Sequence, residues 1–68
     1  MSESGKLLLK KMAAEYDETG NSDFDSVFLF GCSNALLDEL ENQGYIIQKH
    51  DIIGTVTLTK SGYQSANN

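Results

Sequence analysis

The chain has no arginine, one cysteine, one histidine and no apolar run longer than four residues, and each shortage closes off a class of function. A single thiol, Cys32, can make no internal disulfide and cannot by itself furnish a tetrahedral metal site, which points to a reducing compartment. The longest apolar run, residues 27–30, is far below the ~20 residues a helix needs to span a bilayer. No apolar block of the signal-peptide kind stands near Met1. The expectation is a soluble, cytoplasmic protein. A chain of 68 residues has room for one core only, and such a core hides about 60% of the surface that the unfolded chain exposes. One domain over residues 1–68 follows, with residues 1–3 and 66–68 expected as disordered ends. The hydrophobic content of 40% is that of a globular protein and argues against wholesale disorder.

What is abundant is negative charge, and it is unevenly placed. Ten acidic residues stand against five lysines, for a net charge of −5. Residues 1–14 are net +2, with Lys6, Lys10 and Lys11 against Glu3. Residues 15–43 hold Glu15, Asp17, Glu18, Asp23, Asp25, Asp38, Glu39 and Glu41 and no basic residue, for a net of −8. Residues 44–68 return to +1. A charge block is most often a solvated face. Its functional reading is a surface that repels polyanions and attracts basic partners.

The hydrophobic periodicity predicts an α+β domain. Leu9, Met12, Ala13 and Tyr16 recur at helical spacing with Lys6, Lys10, Lys11 and Glu15 opposite, giving a first helix from an N-cap near Ser4 to a stop before Gly20. Ser22 and Asp25 resemble a capping box that would open a second helix, while residues 27–30 are β-prone and fit a short buried strand equally well. Ser33 caps a helix over 34–43 that buries Leu36, Leu37 and Leu40, and Gly44 ends it. Residues 45–49 and 54–58 read as the strands of a hairpin, the second alternating Thr outward with Val56 and Leu58 inward, and 50–53 as its loop. Thr59 caps a last helical turn over 60–65. The expected core is Leu8, Met12, Phe24, Phe28, Leu36, Leu40, Ile46, Val56 and Leu58.

Helix, helix, helix, hairpin is the order of a winged helix-turn-helix. Leu36-Leu37-Asp38-Glu39-Leu40-Glu41-Asn42-Gln43-Gly44-Tyr45-Ile46, followed by Val56-Thr57-Leu58-Thr59-Lys60-Ser61-Gly62-Tyr63, resembles MarR-type regulators. In those proteins the recognition helix closes on Leu-Glu-x-x-Gly-(Leu/Tyr)-Ile and the wing returns through Leu-Thr-x-x-Gly. The stretch is also similar to the small YjcQ-type winged-helix proteins of Gram-positive bacteria and their prophages. The likeness covers residues 22–65 and implies three helices, a two-stranded wing and a short C-terminal helical turn. Gly44 for the chain reversal and Gly62 for close packing of the last turn are requirements of the fold and say little about what is bound. The departures bear on function. MarR-type DNA readers carry Arg or Lys on the recognition helix where this chain has Ala35 and Glu39, and the wing offers only Lys49 and His50. The interval from Gly31 to Gly44 is also about one helical turn short of the family's usual spacing.

Other chemistry finds little purchase. Asp17, Asn21, Asp23 and Asp25 crowd together, but an EF-hand counted from Asp17 would need Gly where Ser22 stands and Glu where Phe28 stands. Cys32 and His50 alone are a weak nucleophile–base pair, and Cys32 reads as a small buried hydrophobe. A non-enzyme without metal, cofactor or small-molecule ligand is expected. The hairpin, in contrast, has a surplus of apolar residues. Period two forbids Ile46 and Ile47 from both facing inward, and Ile52 and Ile53 sit where a turn usually has Asn, Asp or Gly. Two functions of different kinds follow. One is a regulatory module that binds a protein partner, basic or a second copy of itself, with Ile47, Ile52, Ile53, Asp38, Glu39 and Asn42 as contact residues. The other is a DNA-binding transcription regulator using Asn34, Lys49, His50 and Lys60.

Overall fold

The computed structural model describes residues 2–49 and 54–67, so the expected hairpin loop, with His50, Ile52 and Ile53, lies outside the described residues. The elements run α1 (Glu3–Thr19), β1 (Asp23–Phe24), α2 (Asn34–Asn42), β2 (Ile46–Gln48), β3 (Val56–Leu58) and α3 (Lys60–Ala66). The strands form an antiparallel sheet in the order β1-β3-β2, and the class is α+β.

α1 begins two residues earlier than expected. The Ser2 hydroxyl, in place of Ser4, accepts from the Gly5 N–H at 3.1 Å, and Glu3 sits in the first turn, where the exposed N–H groups favour negative charge. Gly20 closes the helix with φ 76, a left-handed value that L side chains rarely adopt, and donates its N–H to the Tyr16 carbonyl. The buried face is Leu8, Leu9, Met12 and Ala13, while Tyr16 leaves that face and meets Tyr63 edge-on with ring centroids 5.4 Å apart.

The segment after α1 is neither the helix nor the buried strand that its sequence allows. Ser22 does not cap a helix, because its carbonyl accepts the Leu58 N–H and so starts the sheet. Only Asp23 and Phe24 pair with β3, opposite Thr57 and Val56. Asp25 then captures the chain: its Oδ1 accepts from the N–H groups of Val27 and Phe28, each at 3.1 Å, and its carbonyl accepts from Leu29. An Asx turn of this kind satisfies backbone donors locally and removes them from strand pairing. Residues 26–31 are therefore turns, and the third helix of the domain is α3 at the C-terminal side.

From Ser33 onward the elements follow the periodicity. Ser33 and Thr59 cap α2 and α3 through their hydroxyls, and Gly44 takes a φ of 80. The hairpin pairs Ile46, Ile47 and Gln48 with Leu58, Thr57 and Val56. Gly62 is the tightest point. A Cβ there would overlap the Tyr45 carbonyl oxygen and approach Leu58 Cδ1, so only glycine lets α3 lie against the hairpin.

The core gathers Leu8, Leu9, Met12, Ala13, Phe24, Leu29, Leu37, Leu40, Ile46, Val56, Leu58 and Ala66. Leu9, Met12, Leu40 and Ile46 are its fully buried centre, each worth about 1.5–3 kcal/mol of apolar burial. Phe28 and Leu36, expected inside, are half-buried at its edge together with Cys32. Ser2 and Ala66, expected in disordered ends, are respectively the α1 cap and a core residue. Among the described residues no helix is long and apolar enough to cross a membrane.

Candidate functional site

α2 leads into the hairpin and is held to it by carboxylates. Positions 34, 35, 38 and 42 are exposed on its outer side, and Glu39 and Glu41 flank them half-buried. Glu41 Oε2 accepts the Gln48 N–H at 2.8 Å, and the Gln48 side-chain amide donates to Asp38 Oδ1 at 2.9 Å and Glu41 Oε1 at 3.3 Å. β2 is an edge strand, and a side chain that occupies its outward N–H discourages further strand addition there. On the other flank Glu39 Oε1 accepts the Ser2 N–H at 3.1 Å, tying α2 to the start of α1. The outer side of α2 thus presents Asn34, Ala35, Asp38 and Asn42 with no cation among them.

Three of the partner candidates, Asp38, Glu39 and Asn42, therefore share α2. Ile47 does not join them, since Ile46 takes the buried side of β2 and leaves Ile47 52% exposed on the opposite side, in the row Asp23–Thr57–Ile47 across the sheet. That row carries a polar cluster. The Thr57 hydroxyl donates to Asp23 Oδ1, and Lys49 Nζ lies 3.6 Å from the same oxygen. The Thr57 hydrogen bond first, and the Lys49 charge second, hold the Asp23 carboxyl below the ordinary aspartate range.

The nucleic-acid candidates separate as well. Asn34 and Lys49 line one cleft of about 420 Å³ between the 26–32 turns, the start of α2 and the base of the hairpin, with Leu29, Leu37 and Val56 as its apolar wall. Lys60 lines a different cleft of about 430 Å³ with Tyr16, Ser22, Leu58, Thr59 and Tyr63. Lys49 is occupied by Asp23, and Lys11 lies over the Phe28 ring, 4.7 Å from its centroid. The arrangement does not gather cations on one face of α2.

The crowded acidic residues between Asp17 and Asp25 have separate occupations. Asp17 accepts the Tyr63 hydroxyl, which pushes the Tyr63 phenol above its ordinary range. Asp23 faces Thr57 and Lys49, and Asp25 caps the following turn. Among the described residues no group of three or more His, Cys, Asp or Glu is placed to hold a metal ion.

Two features escape a reading by periodicity. Val27 and Phe30 stand 81% and 91% exposed, because the Asp25 cap folds their segment into turns in which Leu29 is buried and Phe28 half-buried against the core. The Asp25-to-Phe28 spacing, an Asx residue followed by donors two and three residues on, is the signal that could have found it. Comparison with known proteins returns no matching family model, no matching curated protein and no matching solved structure.

Proposed function

We propose that the chain is a small, non-catalytic winged-helix module of regulatory character that binds a basic protein surface through α2, and does not read DNA. The winged-helix assignment is supported by the succession α1, β1, α2, β2, β3 and by a hairpin that shares its inner strand with β1. In such a fold α2 holds the place of the recognition helix. One observation carries the functional reading: the exposed side of α2 is Asn34, Ala35, Asp38 and Asn42, flanked by Glu39 and Glu41, without a cation.

Electrostatics decides between protein and nucleic acid. A tight DNA binder neutralises roughly six to ten phosphates with Lys and Arg. This chain has five lysines, of which Lys49 is paired with Asp23, and its −8 segment includes all of α2. Bringing that helix to a phosphate backbone would juxtapose like charges, whereas a Lys- or Arg-bearing protein surface meets it with opposite charge. Asp38 and Glu41 each keep their hold on Gln48 in doing so, which presents a rigid acidic face to a partner.

Two measurements test this reading. Titration of labelled random duplex DNA at micromolar protein and about 150 mM salt should leave its anisotropy unchanged. A salt-dependent binding curve with a slope of several ions would overturn the assignment in favour of a DNA regulator. In parallel, a photo-crosslinker at Asn42 should trap a lysine- or arginine-rich protein in an adduct that Asp38→Lys abolishes.

A further inference from the structure

α1 is charged against its own dipole. A helix favours acidic side chains near its N-terminus and basic ones near its C-terminus. Here Lys6, Lys10 and Lys11 fill the first half beyond Glu3, while Glu15, Asp17 and Glu18 fill the second, and the last turn has no basic residue. A local preference broken in this way, without an internal compensation, marks a surface that serves something else. None of Lys6, Lys10, Glu15 or Glu18 makes a side-chain ion pair among the described residues.

We propose that this helix is the interface of an antiparallel homodimer. The surface under question is the exposed stripe of α1 with Leu7, Lys10, Lys11, Ala14 and Glu18, together with the turn that adjoins it through Lys11 over Phe28. The stripe includes an apolar side chain, Leu7, 61% exposed, and the turn adds Val27 and Phe30. An interface around a two-fold axis must be its own complement. A helix that is basic in one half and acidic in the other meets this condition when a second copy runs antiparallel to it. With the axis near residues 14 and 15, Lys11 faces Glu18 of the second copy and Glu18 faces its Lys11, the two lying seven residues apart on one line of the exposed helix surface. The small Ala14 stands at the crossing, where two helices approach most closely. The two helix dipoles then also oppose each other, which removes the local penalty that the monomer carries.

Charge complementarity names the occupant as a second copy of this chain, since the same stripe supplies both signs. The required area is within reach. About 500 Å² per protomer marks the lower bound of a specific interface, and α1 with its adjoining turn spans much of one side of a molecule whose surface totals 4379 Å². This dimer uses a different surface from α2, so it goes beyond the protein-binding reading. The two can fail separately.

The test is a charge swap. Sedimentation of the wild-type chain from about 10 µM to about 1 mM should show a monomer–dimer equilibrium that weakens as salt is raised. Lys11→Glu and Glu18→Lys should each weaken association about tenfold or more, because each places like charges at two symmetric contacts. An equimolar mixture of the two variants should restore the dimer, since each variant then meets its complement at both contacts. That rescue also shows that both variants fold. A wild type that stays monomeric across this range overturns the proposal, as do single variants that associate as well as the wild type. Either result leaves the DNA titration and the Asn42 crosslink to judge α2 on their own.

Discussion

Two short apolar, β-prone runs, residues 27–30 and 45–47, end in opposite states. In the second, Ile46, Ile47 and Gln48 pair with β3, and the alternation of the strand sends Ile46 inside and Ile47 outside. In the first, Val-Phe-Leu-Phe forms no strand, buries Leu29, half-buries Phe28 and leaves Val27 and Phe30 in solvent. Side-chain preference does not separate the runs. What separates them is where their backbone donors go. The Asp25 carboxylate takes the N–H groups of Val27 and Phe28, and the Asp25 and Val27 carbonyls take those of Leu29 and Phe30. In the second run, Gly44 reverses the chain after α2, the Tyr45 N–H closes on the Leu40 carbonyl and the outward Gln48 N–H on the Glu41 carboxylate, and neither bond keeps residues 46–48 from pairing with β3. A capping side chain two residues upstream can thus outweigh β propensity, which is itself a preference for fitting a half-buried pleated surface.

The strand side of this comparison breaks most readily at Gly62. Gly→Ala inside a helix ordinarily stabilises by up to about 1 kcal/mol. Here the added methyl would collide with the Tyr45 carbonyl, which is also fixed by accepting the Thr59 N–H at 3.1 Å, so neither partner can yield cheaply. Gly62→Ala should therefore cost about 3 kcal/mol, and at roughly 4–8 °C per kcal/mol for a domain of this size the melting temperature should fall by about 12–24 °C. Calorimetry reads both the sign and the size. An unchanged or raised melting temperature would mean that α3 does not lie against the start of β2.

A smaller effect belongs to the edge of β2. Glu41 accepts both the backbone and the side-chain amide of Gln48. Glu41→Ala leaves the backbone donor to water at a half-buried site, while the side-chain amide keeps Asp38, and should cost about 1 kcal/mol. Hydrogen exchange of the Gln48 amide should accelerate while the core amides of α1 keep their protection. Uniform acceleration would instead mean that the carboxylate supports the whole domain and not this edge alone.

The same contrast explains what could be read from the residues alone. α1, α2, the hairpin and the Thr59-capped α3 were legible because periodicity, caps and turn glycines agree there. Residues 22–30 were not, because Ser22, Asp25 and the apolar run support a helix, a strand and an Asx turn at once, and only the pairing available beside β3 decides among them. Leu9 and Leu37, on the apolar faces read from the spacing but outside the expected core, belong to the core. Leu9 and Leu37 reach the core as fully as Leu8 and more fully than Leu36, since a helix packed from two sides buries a stripe wider than one row. Of the candidate contact residues, Asp38, Glu39 and Asn42 share α2 as their spacing implies, whereas Ile47 was legible as a surplus apolar residue but not in its position away from α2. The charge reversal along α1 was legible as two net charges of opposite sign. Its meaning required knowing that both lie on one uninterrupted helix.

The smallest expected effect sharpens the comparison furthest. If Phe30 stands outside the fold as its 91% exposure indicates, Phe30→Ser removes no buried contact, and serine suits a turn better than phenylalanine does. The melting temperature of the dilute, monomeric chain should then move by no more than about 0.5 kcal/mol equivalent, although the change deletes the largest type of side chain in the run. Its neighbours Leu29, only 8% exposed, and Phe28, half-buried, carry the apolar contact that the segment makes with the core. A loss of several degrees in Phe30→Ser would mean that the segment is inverted, with Phe30 inward. Under that outcome the Asp25 cap would no longer account for the difference between the two runs, and the apolar flank assigned to the α1 dimer would be lost with it. Concentrated samples give the complementary reading: a variant that melts like the wild type when dilute but associates more weakly places Phe30 at the contact between copies.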